Sequence, residues 1–269
     1  MFKVAISAGH YLGTPGKRCS TELDPNETRE WWLNDRIADK LEKLLAEYNS
    51  IEVLRLDDTT GKKSVSNEER ARIANNWKAD LYLAIHHNAT NVVFSGGGIV
   101  AYIHNKNAKS GASEWQKAFY DACIKYTGLK GNRSNPLPKA ALYECGAPNC
   151  VSVLMELGFM TSTVDVPIIL TDDYAAKIAK ALAEVIVERC GASKKASNGA
   201  VVTLPILVRN SRGESVRALQ SLLNLHGATL SVDGSYGPAT EKAVKAFQTK
   251  NGLAVDGKCG PATWGAILT

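Results

Sequence analysis

The first 190 residues alternate between short apolar segments and longer segments that carry apolar residues at helical spacing. The apolar segments FKVAIS (2–7), LYLAIHH (81–87) and VSVLMEL (151–157) have the composition of strands that are buried on both faces of a sheet. Helical patterns such as WLNDRIADKLEKLLAEY (32–48) and DDYAAKIAKALAEVIVERC (172–190) follow them. This alternation predicts an α/β fold with a mostly parallel sheet.

A change of composition after Cys190 marks the end of this first region. GASKKASNGA (191–200) is small, polar and rich in Gly, Ser and Lys, which is typical of a linker. Further on, VDGSYGPATEKAV starts at Val232 and recurs as VDGKCGPATWGAI from Val255. Each copy is predicted to form a tight turn followed by proline at the start of a helix. The chain is therefore predicted to contain a first domain, a linker and a small all-α domain, at residues 1–190, 191–203 and 204–269.

The net charge of +5 is concentrated after residue 190, because the first 190 residues contain equal numbers of basic and acidic side chains. A mildly basic C-terminal region suits an anionic polymer such as a cell wall, and it suits solubility equally well. The chain lacks the clustered Lys and Arg with interleaved aromatic residues that are expected of a nucleic-acid-binding face. We therefore expect no nucleic-acid partner. We also expect a monomer or a weak dimer.

Targeting and redox signals are sparse. No apolar run in the sequence is long enough to cross a bilayer, so we expect no membrane partner. The N-terminus, MFKVAISAGH, has no cleavage site of small residues and is predicted to be a first strand rather than a signal peptide, which implies synthesis in the cytoplasm without Sec export. Six scattered cysteines predict free thiols rather than a cysteine zinc site, with a Cys145–Cys150 disulfide as the less favoured alternative.

Histidine and glutamate side chains stand where the apolar strands end. The first strand runs to His10, the next long apolar strand to His86 and His87, and the last one to Glu156. In open α/β sheets the functional crevice lies beyond the carboxyl ends of the strands. Imidazole and carboxylate groups are the ligands of a catalytic zinc, whose remaining position is open to water. The pattern favours a metal site, which would also explain a carboxylate at the end of a buried strand.

Four segments of the first region carry a resemblance to a known family. In order along nearly all of residues 1–185, they resemble the zinc-dependent N-acetylmuramoyl-L-alanine amidases, in particular the catalytic domains of bacteriophage endolysins. The segments are AGH (8–10), REWWLN (29–34), EERARIANNWKADLYLAIHHNA (68–89) and VSVLMELGFMTS (151–162).

The resemblance implies a twisted sheet flanked by helices and a zinc ion bound by histidine, glutamate and histidine. Carried over residue by residue, the metal ligands are His10, Glu30 and His86, and the catalytic glutamate is Glu156. In that family zinc activates a water and polarises the scissile carbonyl, while the glutamate acts as general base and then as general acid.

Two of these assignments have neighbours that compete with them. His87 follows His86 directly, and the alternation of side chains along a strand points the two in opposite directions. Glu27 lies one helical turn before Glu30, and Glu22 is a weaker candidate still. The family pattern favours His86, and the helix frame through Asn34 favours Glu30.

The C-terminal segment is similar to the helical peptidoglycan-binding domain that is attached to many cell-wall hydrolases. The two DG-x-[YC]-GPAT turns, AFQ at 246–248 and Trp264 carry this similarity. Together the two resemblances imply a peptidoglycan hydrolase that cleaves the amide between N-acetylmuramic acid and L-alanine. Such an enzyme would act on the wall after its release from the cell, either as a phage lysin or as an autolysin.

Two other functions compete with this interpretation. A wall-binding protein with a degenerate enzyme domain would have lost a ligand or the base, and all four of those residues are present here. A zinc peptidase that acts within the stem peptide would use similar residues. The products separate it from an amidase, which frees the amine of L-alanine and leaves the glycan strands intact.

Overall fold

The computed structural model describes residues 1–129, 131, 135–195 and 204–268, and the chain divides into two compact units, Met1–Ala196 and Ser197–Thr269. The strands of the first unit are β1 (Phe2–Ala8), β2 (Ile51–Arg55), β3 (Leu81–Asn88), β4 (Ile99–His104), β5 (Lys139–Ala140) and β6 (Val151–Phe159). Its helices are α1 (Glu30–Leu45), α2 (Asn67–Trp77), α3 (Ala112–Thr127), α4 (Tyr143–Gly146), α5 (Val166–Ile169) and α6 (Asp172–Cys190).

The strands form one sheet in the order β2-β1-β3-β6-β4-β5. The pairs β1–β2, β1–β3 and β3–β6 are parallel, whereas β4 is antiparallel to β6. The predicted α/β class with a mostly parallel sheet is therefore confirmed. Parallel neighbours bring the carboxyl ends of β1, β3 and β6 to the same edge of the sheet.

Both faces of the central strands are covered, which explains their nearly continuous apolar sequences. On one face, alternate residues of the strands pack against α1, α3 and α6; examples are Ile6, Ile85 and Met155. On the other face, Tyr82 and Leu154 belong to a smaller cluster with residues from α2 and α4. The side chains at the strand ends can consequently be assigned to a face by their parity.

The second unit contains α7 (Glu214–Leu225), α8 (Pro238–Lys250) and α9 (Pro261–Ile267) around its own apolar core. The repeated turns have a common anchor, since the backbone N–H of Gly234 donates to Oε1 of Gln220 and that of Gly257 donates to Oε1 of Gln248, each at 2.9 Å. The amide nitrogens of the two glutamines lie within hydrogen-bond distance of equivalent groups in the two repeats, on Asp233, Ser235 and Thr240 in the first and on Asp256, Lys258 and Thr263 in the second. A buried glutamine thus holds each turn.

The first residues of the predicted linker belong to the first unit. The backbone N–H of Lys195 donates to the carbonyl of Glu47 at 2.7 Å, and Lys194 pairs with Tyr48 in an isolated bridge. Residues 196–203 lie outside the described part of the chain.

The structure also bears on the cysteines and on membrane spans. All six cysteines are free thiols. Among the residues that the structure describes, no helix combines the length and the apolar character that crossing a bilayer requires.

Candidate metal centre and active site

The site begins at the end of β1, where the chain turns sharply at Gly9 and His10. The N–H of Gly9 donates to the carbonyl of Ile85 at 2.9 Å, and His10 has a φ of 68°. A Cβ atom on residue 9 would lie 2.1 Å from Cε1 of His86. Glycine is therefore required at this position because the imidazole of His86 packs directly on the backbone.

Glu30 is the first residue of α1 and reaches the same edge of the sheet. Its backbone N–H donates to the carbonyl of Lys17 at 3.0 Å, and its side chain is only 1% exposed. The Oε1 atom of Glu30 lies 3.3 Å from Nε2 of His10 and 3.1 Å from Nδ1 of His86. One carboxylate oxygen thus sits between two imidazoles that come from different strands.

His10, Glu30 and His86 each offer one ligand atom, and these atoms all lie within 4.8 Å of one another. The two imidazole rings are perpendicular, with their centroids 5.1 Å apart. Two neutral imidazole nitrogens and a carboxylate oxygen form the donor set of catalytic zinc sites, which retain an open position. The three residues therefore fit a zinc ion by their chemistry and by their spacing.

A buried polar atom supports the same fit. Within the described residues, Oε2 of Glu30 is buried without a hydrogen-bond partner, and the Lys17 ammonium lies 3.5 Å from it. Burial on its own would raise the pKa of Glu30, but the neighbouring imidazoles of His10 and His86 hold it well below its usual value. The carboxylate is therefore anionic, as a metal ligand must be.

The competing candidates lie elsewhere. Nδ1 of His87 is 2.8 Å from Oδ1 of Asn34, so this ring is on the α1 side of β3. Glu27 is partly exposed and forms an ion pair with Arg18 at 3.4 Å, and Glu22 is exposed. None of these three side chains joins the cluster of His10, Glu30 and His86.

Glu156 lies beside His86, because the two residues are opposite each other in the parallel pairing of β3 and β6. The side chain is partly exposed, yet its Oε2 atom is buried and has no hydrogen-bond partner in the part of the chain that is described. Burial, together with the nearby carboxylates of Glu30 and Glu144, raises the pKa of Glu156 to about 7. A carboxyl group with this pKa can accept and return a proton near neutral pH.

Comparison with known proteins identifies the family. Residues 4–188 match the family model of N-acetylmuramoyl-L-alanine amidase, and residues 212–267 match that of a peptidoglycan binding domain. The chain belongs to the N-acetylmuramoyl-L-alanine amidase family. It is a peptidoglycan hydrolase with a peptidoglycan-binding domain, which confirms both resemblances of the sequence.

Individual relatives of this amidase agree with the family match. It is 26% identical over 200 residues to the sporulation-specific N-acetylmuramoyl-L-alanine amidase of Bacillus subtilis, covering 74% of this chain and 72% of the relative. It is 31% identical over 136 residues to the endolysin of Bacillus phage SPP1, covering 49% and 48%. The fold resembles the crystal structure of an N-acetylmuramoyl-L-alanine amidase from Clostridium difficile 630, with a TM-score of 0.63 and 24% identity over 74% of this chain and 98% of that one.

Two buried residues of the amidase site were not assigned to it from the sequence. Arg70 of α2 is 1% exposed and donates to the carbonyls of Ala8 and His10 at 2.6 and 2.8 Å, so it fixes the backbone that carries the first candidate ligand. Glu144 of α4 is 3% exposed and lies against His86. The four-residue helix α4 is too short to show a periodic pattern, so no sequence signal distinguishes Glu144.

Proposed function

We propose that this amidase hydrolyses the bond between N-acetylmuramic acid and L-alanine with a zinc ion bound by His10, Glu30 and His86, and with Glu156 as the general base. The observation that carries the proposal is the convergence of three ligand atoms to within 4.8 Å of one another. Glu156 stands next to His86 in the sheet, with one oxygen atom that lacks a hydrogen-bond partner among the described residues.

The four side chains have distinct tasks in this proposal. When bound, zinc supplies Lewis-acid chemistry that polarises a carbonyl group and makes water more acidic. Glu156 accepts a proton from the attacking water and returns it to the amine of L-alanine as the carbon–nitrogen bond breaks. Burial raises the pKa of Glu156, which favours the acid form that the second step requires.

Lys17 is the side chain best placed to meet the substrate. Its ammonium lies 3.5 Å from Oε2 of Glu30, and its side chain is 44% exposed. A cation at the rim of the site can bind the carboxylates of the stem peptide. The neighbouring Arg18 forms an ion pair with Glu27.

The second unit offers a surface for binding the wall. A cavity of about 420 Å³ lies between α7 and α8, and its lining includes His226, Lys242, Phe247 and Lys250. Two lysines beside an apolar floor suit an anionic, partly apolar ligand such as a muropeptide. A catalytic unit tethered to such a module meets its substrate at a raised effective concentration.

A lytic role after release from a host cell is the biological setting that we propose. The similarity to the SPP1 endolysin supports a phage lysin, and the similarity to a sporulation-specific amidase supports an autolytic enzyme equally well. Synthesis in the cytoplasm without a signal peptide stays a prediction of the sequence.

The zinc content and the masses of the peptidoglycan products test the proposed chemistry. We expect Glu156→Ala to keep zinc and lose hydrolysis, and His86→Ala or Glu30→Ala to lose both. Glu27→Ala, on the competing glutamate, should keep both and serves as the matched control. The wild-type products should carry a free amine on L-alanine and intact glycan strands; cleavage within the stem peptide, or full activity of Glu156→Ala, would refute the proposal.

The proposed wall-binding surface has a separate test. Replacing Lys242 and Lys250 together by alanine should weaken binding to isolated cell walls about tenfold, while hydrolysis of soluble muropeptides stays unchanged. Replacing Lys245 and Lys258 by alanine removes the same charge outside the cavity. Equal binding by the two double variants would exclude the cavity as the wall-contacting surface.

A further inference from the structure

Glu144 is a buried carboxylate whose two oxygen atoms face different partners. Its Oε1 atom accepts hydrogen bonds from Oγ of Ser7 at 2.6 Å and from the hydroxyl of Tyr82 at 2.7 Å. Its Oε2 atom lies 3.0 Å from Nε2 of His86. Burying a carboxylate that is only 3% exposed is unfavourable unless such partners compensate for the lost hydration. A buried carboxylate at this position therefore suggests a functional role.

The position of Glu144 relative to the imidazole suggests that role. Nε2 of His86 faces Glu144, whereas Nδ1 faces Glu30, at 3.0 and 3.1 Å. The two carboxylates therefore flank opposite nitrogens of one ring. A hydrogen bond from Nε2–H to Glu144 selects the tautomer whose Nδ1 lone pair points towards Glu30 and His10.

Glu144 is itself held in place by other elements of the fold. The Oγ atom of Ser152 on β6 donates to the backbone carbonyl of Glu144 at 2.5 Å. Nη1 of Arg70 donates to Oγ of Ser7 at 2.6 Å, and Ser7 in turn donates to Glu144. A continuous chain of hydrogen bonds thus runs from the buried guanidinium on α2 to the imidazole on β3, which leaves the His86 ring little freedom to rotate.

We propose that Glu144 is a positioning residue that orients His86 so that Nδ1, and not Nε2, binds the metal. The inference rests on the zinc site proposed above. It adds a buried side chain that acts through His86 and determines which nitrogen of that ring is available. Partners of this kind around metal-binding histidines typically change metal affinity 10- to 100-fold when they are removed.

Zinc affinity and the tautomer of His86 together test the role of Glu144 in the full-length protein. Glu144→Leu removes the acceptor, and we expect a 10- to 100-fold weaker zinc affinity in competition with a chromophoric chelator. Glu144→Gln keeps a carbonyl acceptor at the same distance and should restore part of that loss. In ¹⁵N-edited NMR spectra of the zinc-loaded protein, His86 should be protonated at Nε2 in the wild type and should lose this single form in Glu144→Leu.

Ser152→Ala is the control for a merely structural effect. It removes a hydrogen bond to the backbone of Glu144 and leaves the carboxylate in place. It should lower stability without changing the tautomer of His86. If Glu144→Leu does not fold, Glu144→Gln provides the test. Its near-ultraviolet circular dichroism should be native, and its zinc affinity should be weaker than that of the wild type.

The outcomes separate the two proposals. A wild-type protein that does not bind zinc overturns both of them. A wild-type protein that binds zinc, combined with Glu144 variants of equal affinity and the same Nε2–H signal, overturns the role of Glu144 alone. Weaker zinc binding with a changed tautomer, absent from Ser152→Ala, supports it.

Discussion

Gly9 lies against the face of the His86 imidazole so closely that a Cβ atom at residue 9 would be 2.1 Å from Cε1 of that ring. The contact joins the end of β1 to the end of β3. It links the conformation of the first strand end to the orientation of a candidate ligand on the second. The geometry of the site therefore depends on a residue without a side chain.

Gly9→Ala should displace the His86 ring, because neither the backbone of β1 nor that of β3 can move without breaking the sheet. We expect a loss of zinc binding and hydrolysis of at least tenfold, and a stability loss of roughly 1–3 kcal/mol from overpacking. Zinc retention and denaturant unfolding measure the two effects. Gly265→Ala is the control, since a Cβ there meets no described atom within 4 Å; unaltered zinc binding in Gly9→Ala would contradict the prediction.

Arg70→Lys should destabilise the strand end that carries His10. The guanidinium donates to Oγ of Ser7 and to the carbonyls of Ala8 and His10, and a single ammonium cannot reach all three. Each buried acceptor left unpaired costs roughly 1–3 kcal/mol. The free energy of unfolding in urea measures this loss.

Arg72→Lys is the matched control for that experiment. Arg72 lies two residues after Arg70 on the same helix, but it is exposed and forms an i,i+3 ion pair with Glu69. Exposed pairs of this kind contribute less than about 1 kcal/mol. Similar losses in the two variants would show that the buried hydrogen bonds of Arg70 are not the cause.

Asp35→Asn should change how stability depends on pH. Burial, with the neighbouring carboxylates of Asp39 and Asp57, raises the pKa of Asp35 to about 6 although Arg55 lies 2.6 Å away. The folded state therefore holds this proton more tightly than the unfolded state, whose pKa is near 3.8. The stability from this group is complete below about pH 3.8 and is lost as the pH rises through about 6.

The variant lacks this titration, so its stability relative to the wild type should improve between pH 4 and pH 7. The slope of the difference is at most about 1.4 kcal/mol per pH unit, and solvent around the partly exposed carboxylates reduces it. Denaturant unfolding across this range measures it. Asp173→Asn, at an exposed position on α6, controls for the loss of a charge; a flat difference for Asp35→Asn would rule out the raised pKa.

Gln248→Leu should unfold the second unit selectively. The glutamine accepts from Gly257 N–H and contacts three further polar groups of the second repeat, which would be left unpaired at roughly 1–3 kcal/mol each. Calorimetry should show one destabilised transition, and wall binding should fall while hydrolysis of soluble muropeptides persists. Thr249→Ala, on the exposed side of α8, should have little effect. An unchanged unfolding transition of the second unit in Gln248→Leu would show that Gln248 does not hold the turn.

Much of this architecture was predictable because burial leaves a periodic trace in sequence. Continuous apolar runs predicted the central strands, and the positions of His10, His86 and Glu156 after such runs predicted that they would meet at one edge. The repeated VDG and GPAT turns likewise predicted two similar halves in the C-terminal domain. These signals depend on residues that are close together in the sequence, so they can be recognised without the structure.

Contacts between distant segments leave no such trace. Arg70 was not assigned to the site from the sequence, and Glu144 belongs to a helix too short for periodicity, yet both are buried beside the site. Strand alternation separates His86 from His87, but the contacts of His86 with Glu30 and of His87 with Asn34 arise only in the folded chain. Sequence alone therefore determined the elements and the chemical groups at their ends. Only the tertiary structure decided which groups touch, because that depends on strand register, on helix crossovers and on which partners can compensate a buried charge.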